Sequence, residues 1–269
     1  MSRLNNAKPF LKWAGGKRQL LEELRARVPK HYGTYHEPFI GGGALFFDQL
    51  PKSAVLSDLN LRLVRTYRAV RDQPEEVIRE LSQCRNEKEF YLSMRERDID
   101  QASDAELAAW MIYLNKTGFN GLYRVNKKGG FNVPFGYYKN PKFCDAENLR
   151  LCSERLQNIE ILHADFRTVA DRAKRGDFVY FDPPYVPVSS TASFTSYTSG
   201  GFTLEDQAEL RDMALKLKKK GITVLLSNSS VPEVHDLYAK GFEFINVWAS
   251  RAINCNGAKR GKIAEALIW

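Results

Sequence analysis

An α/β fold carrying a helical insertion is what this sequence predicts, on three observations. Compact apolar runs rich in β-branched or aromatic residues, at 159–162, 178–181 and 223–226, are separated by helical stretches, as buried parallel strands are. Residues 61–113 are almost wholly helical in pattern, with Pro74 marking a break. That helical stretch leads into Arg124-Val-Asn-Lys-Lys-Gly-Gly-Phe-Asn-Val133, which reads as a hairpin turning on its Lys-Lys-Gly-Gly segment.

The remaining elements follow in order. Short runs at 34–40 and 53–58, bounded by turn residues, read as strands. Helices are expected over 148–156 and 204–220, the second stopped by Gly221. Residues 242–249 and 264–269 read as a closing pair of strands. The division expected is an α/β domain of residues 1–60 and 143–269, with an insertion over 61–142 that carries a hairpin at 123–134.

The 269 residues, 43% of them hydrophobic, can build a sizeable core. No apolar run approaches bilayer length, and the first ten residues contain no stretch suited to a secretory signal. A soluble cytoplasmic protein without a membrane partner is expected. The net charge of +8 suggests an anionic partner, and its distribution says more. Residues 115–142 hold six Lys or Arg and no acid, and the first thirty residues have only Glu22 and Glu23 as acids. Two basic zones far apart in sequence suit a phosphate backbone. Cys84, Cys144, Cys152 and Cys255 have the spacing of neither a zinc site nor a disulfide framework, so no metal is expected.

Three strings carry chemistry. Glu37-Pro-Phe-Ile-Gly-Gly-Gly43 follows a candidate strand, where glycines let backbone approach a ligand. Asp58 ends the next strand, placed to reach ribose hydroxyls or simply to cap the helix after it. Asp182-Pro-Pro-Tyr185 emerges from the apolar strand at 178–181. Its prolines remove backbone donors and leave exposed carbonyls, so a carboxylate, carbonyl acceptors and a flat ring together suit a planar amine. In Phe10-Leu-Lys-Trp-Ala-Gly-Gly-Lys17, Lys17 can meet a carboxylate or phosphate and Trp13 can pack on a ligand, although a flexible basic arm explains the string nearly as well.

Taken together and in this order, with Asn120-Gly-Leu122, Phe131-Asn-Val-Pro-Phe-Gly136 and the Ser/Thr-rich run at 190–197, these strings resemble the Dam-type adenine-N6 DNA methyltransferases over nearly the whole chain. The resemblance implies a Rossmann-like S-adenosylmethionine-dependent methyltransferase sheet whose helical insertion recognises DNA. It implies S-adenosylmethionine as cofactor and S-adenosylhomocysteine as product. Cofactor contacts would be Trp13, Lys17, Phe39, Gly41, Asp58, Asp165, Phe166 and Asp182, with Asp165 and Phe166 reading the cofactor's adenine. Asp182, Pro183, Pro184 and Tyr185 would form the reaction centre. There the carboxylate and the Pro183 carbonyl accept the two N–H bonds of the target amine while Tyr185 stacks on a flipped-out adenine.

For double-stranded DNA the resemblance implies recognition of GATC, through Arg124 and Lys12 on guanine and through Leu122 and Pro134 on thymine methyls. Asn132 joins the DNA-binding set, and Phe119 and Asn120 would enter the opened duplex. Phe119 stands where the family often has Tyr, so a contact through that hydroxyl is lost while stacking survives. Lys116, Lys127, Lys128, Lys139 and Lys142 are assigned to phosphates. Residues 189–201 read as a mobile loop or an ordinary surface loop, and no obligate protein partner is evident. An RNA adenine-N6 methyltransferase is the nearest alternative, and a catalytically dead nucleic-acid-binding protein is the alternative in another class. A duplex-reading hairpin argues against the first, and intact Asp182 and Lys17 against the second.

Overall fold

The computed structural model describes residues 7–13, 15–186, 202–250 and 262–269. In chain order the helices and strands begin with α1 (Leu21–Arg25), β1 (Tyr35–Glu37), α2 (Ala44–Gln49) and β2 (Ala54–Asp58). Next come α3 (Leu61–Asp72), α4 (Pro74–Ser82), α5 (Lys88–Glu96), α6 (Asp104–Thr117), α7 (Ala146–Leu156) and β3 (Glu160–His163). The chain continues through α8 (Val169–Arg172), β4 (Phe178–Phe181), α9 (Leu204–Lys219), β5 (Thr223–Ser229), α10 (Pro232–Tyr238), β6 (Phe244–Ser250) and β7 (Lys262–Ile268). Two compact units result. One comprises Met1–Gly16, Gly41–Leu50 and Asn60–His163; the other comprises Lys17–Ile40, Pro51–Leu59 and Ala164–Trp269.

Seven strands form the sheet, and six of them belong to the second unit, in the order β2-β1-β4-β5-β7-β6. The first four are parallel: Tyr35 lies opposite both Ala54 and Phe178, and Phe178 opposite Thr223. β4 is central and buried along its whole length, which explains its uninterrupted Phe-Val-Tyr-Phe composition. β7 runs antiparallel to both neighbours, with Leu226 opposite Ile268 and Trp248 opposite Ala264. Against this sheet α9 buries Leu210, Ala214 and Leu217, which pack with Val179, Phe181, Val224 and Ile268. A Thr203/Asp206 capping box starts α9, and Gly221, at φ +79°, ends the turn that follows it. This is the Rossmann-like α/β sheet the sequence predicts.

Asp177, just before β4, joins the strand entrances. Its carboxylate accepts the Thr34 N–H at 2.8 Å and the Lys174 N–H at 2.9 Å, and lies 3.1 Å from His36 Nε2.

The unit holding 60–163 is helical. The expected continuous pattern resolves into four helices before residue 118, with Pro74 in the first turn of α4, where its missing N–H costs nothing. α6 is buried almost all round, Trp110 and Tyr113 included, and begins at a Ser103/Glu106 capping box. α3 is capped by Asn60, whose side chain accepts the Leu63 N–H, so the capping role considered for Asp58 belongs to its neighbour two positions on. The stretch 61–142 lies wholly inside this unit, which extends beyond it on both sides. α10 and the short α1 had no counterpart in the sequence expectations.

The expected hairpin turn forms: the Asn126 N–H donates to the Gly130 carbonyl at 2.8 Å, and the Gly129 N–H donates to the Asn126 carbonyl at 2.9 Å. Its flanks make one antiparallel bridge, Val125 with Phe131, rather than a ladder. Alternation still sorts the side chains. Tyr123, Phe131 and Val133 are buried, while Arg124 and Pro134 are exposed and Asn132 half-exposed.

Candidate active site and nucleic-acid interface

Asp182 follows the last residue of β4, at the carboxyl end of the parallel strands, where open α/β sheets bind ligands. Its two oxygens differ. Lys17, only 3% exposed, places Nζ 2.8 Å from Oδ1. Ser227 on β5 donates from Oγ to the same oxygen, also at 2.8 Å. Since that serine proton goes to the carboxylate, the Tyr180 hydroxyl, 3.0 Å from Ser227 Oγ, acts as the donor to it. Oδ2 has no hydrogen-bond partner among the described residues.

The loop behind Asp182 is held by a buried amide pair. Asn228 Nδ2 donates to Gln207 Oε1 at 2.9 Å, and Gln207 Nε2 donates to the Pro184 carbonyl at 3.0 Å. Asn228 Oδ1 accepts the Val186 N–H, and Ser229 Oγ donates to the Val186 carbonyl. The expectation that both proline carbonyls stay open is therefore corrected. Gln207, buried on α9, needs an acceptor and takes that of Pro184, whereas the Pro183 carbonyl has no partner among the described residues.

Tyr185 is half-buried. Lys17 Nζ lies 4.6 Å from its ring centroid, and its hydroxyl donates to Glu265 Oε2 at 2.7 Å. Burial, with Asp182 and Glu265 nearby, raises the phenol well above its usual range. Burial also raises the Glu265 carboxyl, while Lys17 and the Tyr185 hydroxyl pull it back.

Around this centre the other expected cofactor residues of the same unit are spread along the strand ends. Asp58 is the last, half-buried residue of β2, and its carbonyl accepts the Ala164 N–H at 3.3 Å. Phe39 is half-buried after β1 and stacks on Phe166 with centroids 5.5 Å apart at 24°. Phe166 is a core residue, 2% exposed. Asp165 caps its own turn through the Arg167 N–H, and its carboxylate also receives the Arg167 guanidinium, which reaches on to Asp206 and Glu209.

Trp13 and Gly41 belong to the helical unit. A Cβ on Gly41, at φ +45°, would meet Trp13 Cδ1 at 2.7 Å, so the glycine is required by the indole itself. Trp13 also stacks on Tyr123, centroids 5.6 Å apart at 18°.

The expected DNA residues of that unit are exposed or half-buried. Arg124 Nε and Nη2 donate to Asn132 Oδ1 at 2.7 Å and to the Asn132 carbonyl at 2.9 Å. Lys12 is exposed, with Nζ 4.7 Å from the Tyr138 ring centroid. Leu122 is half-buried, and Lys127, Lys128 and Lys139 are exposed. Lys116 is half-buried in the last turn of α6, and Lys142, assigned to phosphate, pairs with Asp145 at 2.8 Å. Phe119 is 39% exposed on a 3-10 turn. There Asn120 takes φ +55°, donates its N–H to the Tyr138 hydroxyl, and buries an Nδ2 with no partner among the described residues. The loop expected at 189–201 and Cys255 lie outside the described residues.

Gln207, Ser227, Asn228 and Glu265 were absent from the sequence expectations. A polar Ser-Asn-Ser run ending the apolar strand at 223–229 was the available signal for two of them; nothing local marks Glu265.

Comparison with known proteins adds names to this geometry. The family model described as D12 class N6 adenine-specific DNA methyltransferase matches residues 13–253. The type II methyltransferase M1.LlaDCHI of Lactococcus lactis subsp. cremoris is 48% identical, covering 98% of this chain and 95% of that protein. DNA adenine methylase of Vibrio cholerae is 40% identical (98% and 96%), and that of Escherichia coli K12 is 37% identical (96% and 93%). The RNA alternative gains no support from these names. Among the described residues, no helix is long and apolar enough to cross a membrane.

Proposed function

The chain belongs to the D12 class of N6 adenine-specific DNA methyltransferases, and from that premise we propose that it methylates a flipped-out adenine within GATC in duplex DNA, using Asp182 and Pro183 as paired acceptors. The observation that carries this reading is the division of labour at Asp182. Oδ1 is saturated by Lys17 and Ser227, while Oδ2 and the neighbouring Pro183 carbonyl remain to accept. The exocyclic nitrogen of adenine is a poor nucleophile because its lone pair is delocalised into the ring. Two acceptors on its N–H bonds favour a pyramidal nitrogen with a directed lone pair. Tyr185 supplies a ring for the everted base, since a stacked and paired adenine hides that nitrogen.

The residues suit S-adenosylmethionine as donor by their chemistry. Asp58 at the end of β2 fits a ribose diol, Phe39 offers an aromatic edge, and the Asp182 carboxylate is matched to a sulfonium charge. When bound, that cofactor supplies the electrophilic methyl group. Lys17 holds Asp182 in orientation through its 2.8 Å contact with Oδ1, and no side chain is required as a covalent nucleophile.

Sequence reading falls to the hairpin of the helical insertion. With Nε and Nη2 of Arg124 held by Asn132, Nη1 and the second Nη2 proton form the edge left for guanine O6 and N7. Leu122 and Pro134 flank it for thymine methyls, with Lys12 a second guanine contact, and Lys127, Lys128 and Lys139 reach phosphates. Phe119 and Asn120 enter the space the adenine vacates.

Methylation of unmodified plasmid DNA by the purified protein, followed by mapping of modified adenines, tests the reading. It predicts N6-methyladenine in GATC and nowhere else at comparable rate. Modification in another fixed context would remove the specificity assignment, and modification of structured RNA in preference to duplex would remove the substrate.

A further inference from the structure

We propose that Glu265 is a positioning residue for methyl transfer: by accepting the Tyr185 hydroxyl proton it fixes the ring on which the target adenine stacks. The inference rests on the reading of Tyr185 given above and adds a residue from the far end of the chain. Glu265 lies on β7 between Ser229 of β5 and Val247 of β6, and its neighbours along β7, Ala264 and Ala266, are apolar. A partly buried carboxylate is costly unless it is bonded. Its hydrogen bond is short, 2.7 Å, and reaches across 80 residues of sequence to Tyr185.

The ring is thereby held at two points. Its hydroxyl end is fixed by Glu265, and the Lys17 ammonium stands 4.6 Å from its centroid on one face. Lys17 occupies one face, and no ring–ring contact to Tyr185 is found among the described residues, so the base is assigned to the opposite face. A tyrosine lacking the Glu265 anchor keeps its stacking surface but loses its fixed azimuth. Stacking of an everted purine needs that surface already in place when the base arrives.

Single-turnover methylation of a duplex oligonucleotide tests this with Glu265→Leu, Glu265→Gln, Tyr185→Phe and the Tyr185→Phe/Glu265→Leu double variant. A 2-aminopurine at the target position reports base eversion by fluorescence. Glu265→Leu and Tyr185→Phe should each slow transfer by roughly tenfold, the size of losing a hydrogen bond to a charged group. Each should also weaken the fluorescence rise, with S-adenosylmethionine affinity unchanged. Glu265→Gln, whose amide oxygen still accepts, should recover most of the rate, and the double variant should be no slower than the slower single one. Additive losses in the double variant, or a Glu265→Leu enzyme with wild-type rate and eversion signal, would overturn the proposal. An unfolded Glu265→Leu protein shifts the decision to Tyr185→Phe, which keeps the ring: a wild-type eversion signal there would equally overturn it. Failure of the wild-type protein to methylate duplex adenine would instead remove the functional reading on which the proposal stands.

Discussion

At Asp182 the two carboxylate oxygens have different employment, one bonded to Lys17 and Ser227 and the other open. Such asymmetry turns a symmetric anion into a directed acceptor, which suits the amine of the proposed function. The Asp-Pro-Pro-Tyr string made this candidate centre legible because a carboxylate, a donor-poor backbone and a ring lie in four consecutive positions. Lys17 was legible as a partner for an unspecified anion, and the structure gives it Asp182. Ser227 and Glu265 were illegible, since each meets the site across a large sequence gap, 45 residues for Ser227 to Asp182 and 80 for Tyr185 to Glu265. No local pattern encodes such a contact. Glu265 also yields a prediction about stability. Burial raises its carboxyl above the usual 4.5, with Lys17, Tyr185 and Asp182 the charged or titratable groups facing it. Folded protein therefore holds this proton more tightly than unfolded protein does. The corresponding stability is full below the unfolded value and is lost as pH rises through the folded one. Glu265→Gln, which cannot ionise, should gain melting temperature relative to wild type on going from pH 4 to pH 8. A difference that is flat or falls with pH would contradict the assignment.

The hairpin depends on its supporting helix as much as on its own turn. Arg62 on α3 donates from Nε and Nη2 to Asp100 at 2.7 and 2.8 Å, and from Nη1 to the Gly129 carbonyl at 2.7 Å. One guanidinium thus fixes the tip of the element that presents Arg124. Arg62→Ala should reduce the preference for the cognate duplex over one with a substituted guanine by several-fold, corresponding to about 1 kcal/mol of lost order at the turn. S-adenosylmethionine binding should be unaffected. Competition between the two duplexes measures this, and an unaltered ratio would show that the turn holds its shape without Arg62. The turn itself was legible from Lys-Lys-Gly-Gly, whereas its support was not. The flanks were expected as strands but make a single bridge, and their inward residues Tyr123 and Phe131 are engaged by Trp13 and Trp110. α4 followed expectation because Pro74 fits a first helical turn as well as it breaks a preceding one.

Over the whole molecule, the α/β class and most strand positions were readable because buried parallel strands must be apolar on both faces. Strand order was not readable. Local composition is the same whichever neighbour a strand finds, and the antiparallel β7 between β5 and β6 is set by long-range pairing. Unit boundaries were equally hidden: the described residues before Lys17, together with 41–50, group with the helices although they carry the strings that adjoin the α/β domain in sequence. On the proposed function the work is divided, with Asp58, Asp165 and Asp182 on the sheet unit and the basic hairpin on the helical one. The most direct test of the account is the single-turnover rate of Asp182→Ala at saturating duplex and S-adenosylmethionine, with duplex affinity measured in parallel. The account predicts a loss of at least about 100-fold in methyl transfer, the scale of removing a preorganised electrostatic group, with duplex affinity retained. A variant that transfers methyl to adenine within about threefold of the wild-type rate would show that Asp182 is not the acceptor, since losing even one charged hydrogen bond costs more than that.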